Sequence, residues 1–168
     1  MRRILMLVTV ALALVACGEG EPMPDRDVDT LTRWSAAYKP VAADMLATSE
    51  ALADDQLDAA GTALTRVKPK LGAAEAQVRA LQSPAVRETL TDYMRITRRT
   101  ITAFDAFLAH LRTNPDDRRA RIRVQSELRD ANQELFDADS KIRDRIFDHA
   151  DEAQEQRLDQ VIPLPAVA

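Results

Sequence analysis

Few side chains in this sequence have the chemistry that catalysis or metal binding requires. The chain of 168 residues holds one cysteine, Cys17, and two histidines, His110 and His149. Cys17 ends the apolar stretch LALVAC at residues 12–17. A lone thiol could be a core residue, a nucleophile, half of an intermolecular disulfide or a site of another kind, so its neighbours in the sequence must decide.

The neighbours of Cys17 are those of an export signal. Arg2 and Arg3 precede an uncharged, apolar segment, and the small residue Ala16 stands directly before Cys17. This order is typical of a secretory signal peptide. A transmembrane helix is the alternative, but residues 4–16 would span about 20 Å as a helix, which is less than the ~30 Å of a bilayer's hydrocarbon core.

Residues 14–17 (LVAC) resemble the lipobox of bacterial lipoproteins, in which an apolar residue stands three before the cysteine and a small residue directly before it. The resemblance covers residues 1–17 only. It implies cleavage between Ala16 and Cys17 and transfer of a diacylglyceryl group to the Cys17 thiol. Two or three acyl chains bind a membrane stably, whereas one binds only marginally. An ordinary signal peptide cleaved nearby, or an uncleaved anchor, is the alternative.

The lipobox resemblance implies a protein anchored at the bacterial cell envelope and facing the periplasm or the exterior. Gly18 follows the cysteine, and in proteobacterial sorting a residue other than aspartate at this position favours the outer membrane. Without residues 1–16 the chain keeps 21 basic and 27 acidic residues, a formal charge of −6 compared with −4 for the whole chain. That acidity argues against a nucleic-acid partner and leaves the acyl chains as the membrane attachment.

Four amphipathic segments follow the leader, and each has apolar residues spaced alternately by three and four. The predicted helices cover residues 27–53 and 55–81, then begin at the caps Ser83 and Asn114. Short turns between four such helices predict an all-α, up-down-up-down antiparallel four-helix bundle. The alternative fold is two long helical hairpins that pair only in a dimer. The predicted seam includes Trp34, Tyr38, Val41, Leu64, Val67, Leu90, Tyr93, Thr97, Phe104, Leu128, Leu135, Ile142, Ile146 and His149.

The turns predict which end of the bundle faces the membrane. Turns at Asp54 and Asn114 are distal, and the turn at Ser83 and the C-terminus are proximal. Asp55 and Asp58 are expected to cap helix 2, and Asn114 with Pro115 to begin helix 4. Helix 4 is expected to be the longest, and residues beyond about Phe147 to cover the bundle end, contact lipid or pair with a second copy. The predicted regions are a cleaved signal peptide (1–16), acylated cysteine and polar linker (17–26), bundle (27–160) and extended, apolar, proline-containing tail (161–168).

Pro40 and Pro69 lie within helical patterns, at the same level of the first two helices. A proline inside a helix removes a hydrogen bond and bends the helix. Each proline follows a lysine, Lys39 or Lys68. Paired bends could open a pocket for a small apolar or anionic ligand near these lysines, whereas matched curvature of two packed helices is the simpler interpretation.

The remaining polar clusters do not predict catalysis. The two histidines are tens of ångströms apart along a bundle, because a helix rises about 1.5 Å per residue, and cannot share one ion within one chain. Without a Cys-x-x-Cys-His motif there is no covalent haem. Arg112, Arg118 and Arg119 lie near the distal tip, where they could bind an anion or a partner, or pair with acidic residues of the other distal turn.

The sequence therefore predicts no catalytic residue, no metal and no cofactor. The function it favours is non-enzymatic binding or scaffolding at the cell envelope, with the membrane bound through the lipid anchor and an unknown envelope protein as partner. A homodimer is a further possibility. A bundle that binds a small ligand near Pro40 and Pro69 is the alternative function.

Overall fold

The computed structural model describes residues 22–162, so Cys17, the leader and residues 163–168 lie outside the described part of the chain. The described residues form α-helices and no strands, which confirms the all-helical prediction. There are five helices in this range: α1 (Asp25–Ala53), α2 (Leu57–Ala80), α3 (Pro84–Thr113), α4 (Arg118–Phe147) and α5 (Glu152–Asp159).

The core is built from the apolar seams that the sequence predicts. Because 3.6 residues complete a helical turn, spacings of three and four place these side chains on one face of each helix. All four long helices contribute, and their largest fully buried side chains are Leu31, Trp34, Tyr38, Met45, Leu64, Leu90, Phe104, Leu135 and Ile146.

Where two successive helices contact each other, residues early in one helix lie beside residues late in the next. The beginning of α1 meets the end of α2, where the Asp27 carboxylate accepts hydrogen bonds from the backbone N–H groups of Gln82 (2.9 Å) and Ser83 (2.6 Å). The same reversal joins α2 to α3 and α3 to α4, through the pairs Glu75–Arg98, Asp58–Arg112, Arg99–Glu134 and Thr100–Ala131.

Two of the predicted helix starts are wrong. Helix α2 begins at Leu57, because Asp55 takes the left-handed backbone conformation (φ 57°) and belongs to the turn. Asn114 ends α3 instead of beginning α4, and the Asp117 side chain caps α4 by accepting a hydrogen bond from the Ala120 N–H at 3.0 Å. The start of α3 at Pro84 is as predicted.

The prediction of one long final helix is also wrong. Helix α4 ends at Phe147, and a turn leads to the short helix α5. Asp151 begins α5 with a capping box, in which its side chain accepts from the Gln154 N–H and the Gln154 side chain accepts from the Asp151 N–H. These two hydrogen bonds give the chain a favourable new helix start where the predicted helix would have continued.

Helix α5 covers the beginning of α1. The Met23 N–H donates to the His149 carbonyl at 2.7 Å, and the Gln154 side chain donates to the Met23 carbonyl at 2.8 Å. Further along, the Ser35 hydroxyl donates to the Val161 carbonyl at 2.5 Å, and Leu158 is fully buried. Three roles are predicted for the residues beyond Phe147. Residues 148–162 match the first of them, because they cover one end of the fold.

Candidate functional site

The two internal prolines lie in uninterrupted helices. Helix α1 continues through Pro40 and α2 through Pro69. The adjacent seam residues Tyr38, Val41 and Val67 are completely buried, so apolar side chains fill the core at this level. This geometry favours two packed helices of matched curvature over a pocket opened by paired bends.

The lysines next to the prolines do not form a common site. Lys39 is exposed, and Lys68 makes an ion pair with Asp105 of α3 at 2.6 Å. The neighbouring Lys70 has a buried partner, because it bonds to the carboxylate of Asp44. Lys68 and Lys70 therefore tie α2 to its two neighbours.

Asp44 is the centre of the ion cluster between α1 and α2. It is only 7 % exposed, and its carboxylate receives Lys70 and the Arg66 guanidinium, whose Nη2 lies 3.0 Å from Oδ1. Burial alone raises the pKa of Asp44, but the hydrogen bonds and charges of Lys70 and Arg66 outweigh burial, so the pKa lies below its ordinary value. The charged form of Asp44 therefore holds the two helices together.

Arg112, in the last turn of α3, bonds to the beginning of α2. Its guanidinium donates to the Leu57 carbonyl at 2.9 Å and to the Asp58 carboxylate at 3.3 Å. Arg118 and Arg119 lie at the same tip but are exposed, and their side chains make no hydrogen bond or ion pair with another described residue. The predicted charge pairing across the tip is therefore limited, in the described residues, to Arg112 with Asp58.

Three arginines of α3 are each matched by an acidic residue. Arg95 contacts Asp92 at 3.5 Å on the same helix. Arg98 and Arg99 pair with Glu75 of α2 and Glu134 of α4. Since each positive charge already has a partner, this face is a compensated surface.

The histidines do not form a metal site. His110 is buried near the end of α3, and its Nε2 has no hydrogen-bond partner among residues 22–162. His149 is half-buried and contributes its backbone carbonyl to the bond with Met23. Over the described range, no group of three or more His, Cys, Asp or Glu side chains could hold a metal ion. None of the helices in that range is both long and apolar enough to cross a membrane.

The core contains an aromatic cluster with buried hydroxyl groups, which the sequence pattern did not reveal as polar. Trp34 stacks on Tyr38, with ring centroids 5.5 Å apart, and Tyr93 meets both rings edge-on at 6.0 and 5.3 Å. Such geometry stabilises aromatic pairs beyond the area they bury. All three residues occupy predicted seam positions, so their place in the core could be predicted but their contact with one another could not.

The hydroxyl groups of this cluster form a buried hydrogen-bonded chain. The hydroxyl oxygen of Tyr38 lies 3.2 Å from that of Thr97 and 3.0 Å from that of Tyr93, and Tyr93 also bonds to the carboxylate of Asp139 on α4. The chain therefore connects α1, α3 and α4. Asp139 lies outside the predicted seam, so the sequence pattern carried no signal for its contact with Tyr93.

Burial controls the chemistry of these tyrosines. It raises the pKa of Tyr38 to about 12, although the hydrogen bonds with Thr97 and Tyr93 lower it in part. Burial, followed by the electrostatic influence of Tyr38 and Asp139, raises the pKa of Tyr93 well above its ordinary value. Both hydroxyls therefore stay protonated to a higher pH than an exposed tyrosine would, and the network connects the helices internally.

Two large apolar side chains on the outer side of α4 are exposed. Ile122 is 58 % exposed and Phe136 is 49 % exposed. A surface groove of about 640 Å³ runs beside Ile122, and Phe107 of α3 forms part of its wall.

No known family model matches this chain, and neither the curated proteins nor the solved structures include one that is similar to it. Its function is therefore inferred from its own residues.

Proposed function

We propose that this protein is a lipid-anchored, extracytoplasmic lipoprotein of the bacterial cell envelope, with a non-enzymatic binding or scaffolding role. The observation that carries the proposal is the leader that ends in LVAC at residues 14–17, followed closely by a folded helical domain. Cys17 is the proposed acylation site, and residues 1–16 are the proposed cleaved signal peptide.

The short connection between Cys17 and the domain supports this proposal. Met23 is only 3 % exposed and is bonded through its backbone to His149 and Gln154, so the domain begins at this residue. Residues 18–22 span at most about 20 Å between Cys17 and Met23 when fully extended. An acylated Cys17 would keep this end of the domain close to the bilayer, on the outer membrane if the cell has one.

We propose that the long helices form an up-down-up-down antiparallel four-helix bundle over residues 27–160, with α5 as its membrane-proximal cover. The reversed contacts between successive helices support this topology. In this arrangement Arg112, Arg118 and Arg119 lie at the distal tip. Since α3 has 30 residues, the tip would stand about 45 Å from the anchored end, where an envelope protein could reach it.

The polar groups of the core support a non-enzymatic role. Three described groups with shifted pKa values, Asp44, Tyr38 and Tyr93, are each engaged with partners from neighbouring helices. The filled core beside Pro40 and Pro69 favours a binding surface over the alternative of a small-ligand pocket at these prolines.

Metabolic labelling with a fatty-acid probe tests the anchor. We expect the wild-type chain to carry the label and to lose residues 1–16, and Cys17→Ala to carry none, because the thiol is the acyl acceptor. Gly20→Ala is the matched control, since it leaves the lipobox intact and should label as the wild type does. Label that persists in Cys17→Ala would contradict the proposal, as would an unlabelled wild-type chain.

A further inference from the structure

The outer side of α4 presents two large apolar side chains on one face. Ile122 and Phe136 are 14 residues apart, and Arg129 lies midway between them. Since each residue turns a helix by about 100°, a separation of seven residues brings both side chains within about 20° of Arg129. We call Ile122, Gln125, Arg129, Gln133 and Phe136 the outer face of α4.

The outer face has a hollow at one end and a projecting aromatic ring at the other. The groove beside Ile122 is lined by Phe107, Leu128 and the polar side chains of α4 between Gln125 and Gln133. Phe136 lies beyond this groove and is half exposed. An aromatic side chain that entered the groove would contact Phe107 and Ile122 and leave water.

The positive and negative charges of α4 are also concentrated at opposite ends of the helix. Residues 118–123 (RRARIR) contain four arginines and no acidic residue. Residues 130–139 (DANQELFDAD) contain four acidic residues and no basic one. Arg118 and Arg119 have no ion pair within the described residues, so the basic end of α4 is uncompensated by its own fold.

We propose that the outer face of α4 binds the same face of a second copy, with the two helices antiparallel about a two-fold axis at Arg129. Residues equally far before and after Arg129 then meet. Ile122 contacts Phe136 of the second copy, whose ring enters the groove, and the basic end of each helix lies along the acidic end of the other. A two-fold contact of this kind uses the same surface on both copies and closes at a dimer.

The charged residues beside the apolar contact fit this arrangement. Arg119 lies ten residues before Arg129 and Asp137 eight residues after it, both on the same side of the outer face, so Arg119 of one copy comes within about 3 Å of the level of Asp137 of the other. Arg129 meets its own counterpart at the axis, but its guanidinium is already placed near Asp130 (4.0 Å) and Ser126 (3.3 Å) of its own chain. The apolar contacts and the charges therefore support the same alignment of the two α4 helices about Arg129. Neither argument depends on the lipid anchor.

Charge reversal tests the register directly. We measure the molar mass of the full chain in a mild detergent by sedimentation, over a range of about 1–200 µM, because a contact of one helix per copy belongs to the small, weak class of interfaces. Arg119→Asp and Asp137→Arg should each raise the dimer dissociation constant about tenfold, since every dimer contains the contact twice. The double variant should return it to nearly the wild-type value.

The double variant distinguishes a contact between copies from one within a chain. Arg119 and Asp137 are 18 residues apart on one straight helix, or about 27 Å, so they cannot pair within a copy. Both side chains are exposed, and circular dichroism should show the same helix content in all four proteins.

Cysteine cross-linking supplies an independent test. In a Cys17→Ser background, Arg129→Cys should form a disulfide-linked dimer on mild oxidation, because this position lies at the axis. Arg79→Cys, which replaces an exposed arginine of α2, is the matched control and should remain monomeric.

Four outcomes would overturn the proposal. They are a monomer at every concentration, a dimer that the single charge reversals leave unchanged, equal cross-linking at positions 79 and 129, and a cross-link from position 129 to a different protein instead of a second copy.

Discussion

Two buried carboxylates show how single residues hold this fold together. Asp27 is completely buried and accepts the backbone N–H groups of the turn between α2 and α3. Asp44 is nearly buried and bonds to Arg66 and Lys70 of α2. Burying a carboxylate is costly unless it is paired or hydrogen-bonded, so the partners of each acid determine where α1 can lie.

Asp44→Asn should lower the free energy of unfolding by about 1–2 kcal/mol at pH 7, because a charge-assisted contact is lost while Arg66 and Lys70 stay partly solvated. The pKa of Asp44 is lowered by folding, so its stabilisation is present above the unfolded carboxyl value of about 4 and is lost as the pH falls through the lower folded value. The difference between the wild type and the variant should therefore shrink below pH 4. Urea unfolding of both proteins between pH 7 and pH 2 measures this difference in the free energy of unfolding.

Asp105→Asn is the matched control for Asp44→Asn. It removes the partner of Lys68, but both side chains are well exposed, so the expected loss is about 0–1 kcal/mol. Equal losses in the two variants, or a loss at Asp44 that does not change with pH, would contradict the role assigned to Asp44.

At the scale of elements, α5 depends on its neighbours for its stability. A helix of eight residues is too short to be stable alone in water. Its support consists of the capping box at Asp151, the buried Leu158, and Arg157, which pairs with Asp29 of α1 at 2.9 Å. Because α5 in turn holds Met23, the entry of the chain into the domain depends on this short helix.

Asp151→Ala should remove the capping box and destabilise α5 by about 0.5–2 kcal/mol. We expect faster amide hydrogen exchange in residues 148–162 and at Met23, whose N–H is bonded to His149. Hydrogen exchange of α2 and α3 should stay close to that of the wild type.

Glu152→Ala is the control for the capping variant. Glu152 is an exposed acid in the first turn of α5 and makes no cap hydrogen bond, so its loss should cost about 0.3–1 kcal/mol through the helix dipole. Uniform acceleration of exchange across all helices in Asp151→Ala would show that α5 is not a separate unit.

At the scale of the whole molecule, the network around Tyr38 and Tyr93 connects three helices. Rings from α1 and α3 pack together, and their hydroxyls reach Thr97 and the Asp139 carboxylate of α4. Tyr38, Tyr93 and Thr97 are buried between the packed helices. Ionisation of the tyrosines is therefore coupled to unfolding of the entire core.

Alkaline titration should show this coupling. Folding raises both tyrosine pKa values, so the associated stability is fully present below the unfolded value of about 10 and is lost as the pH rises towards the folded values, about 12 for Tyr38. Tyr38 and Tyr93 are the chain's two tyrosines, so tyrosinate absorbance reports on them alone. It should appear above pH 10, in one transition with the loss of helical circular dichroism.

Urea-unfolded protein is the reference for this titration and should ionise near pH 10. Tyrosinate absorbance at that pH in a protein that keeps its helices would contradict the buried position of the network.

Much of the fold could be predicted from the sequence because the helical period is a local property. Alternating spacings of three and four placed Trp34, Leu64, Phe104 and Leu135 in the core, and each is buried. The end of α4 could not be predicted in this way, since the apolar pattern continues past Phe147 through His149. Asp151 and Gln154 form a capping box that starts a new helix. This capping box depends on a turn that the contact between Gln154 and Met23 stabilises.

The sequence by itself determined the helical composition and the apolar seams, because each depends on residues a few positions apart, and it also predicts the leader that ends at Cys17. The tertiary structure alone decided which polar groups meet. Asp44 with Lys70 and Tyr93 with Asp139 are 26 and 46 residues apart, and their pairing depends on how whole helices pack. The same holds for the outer face of α4: periodicity places Ile122 and Phe136 on one side of the helix, but only the packing of the other helices leaves that side uncovered.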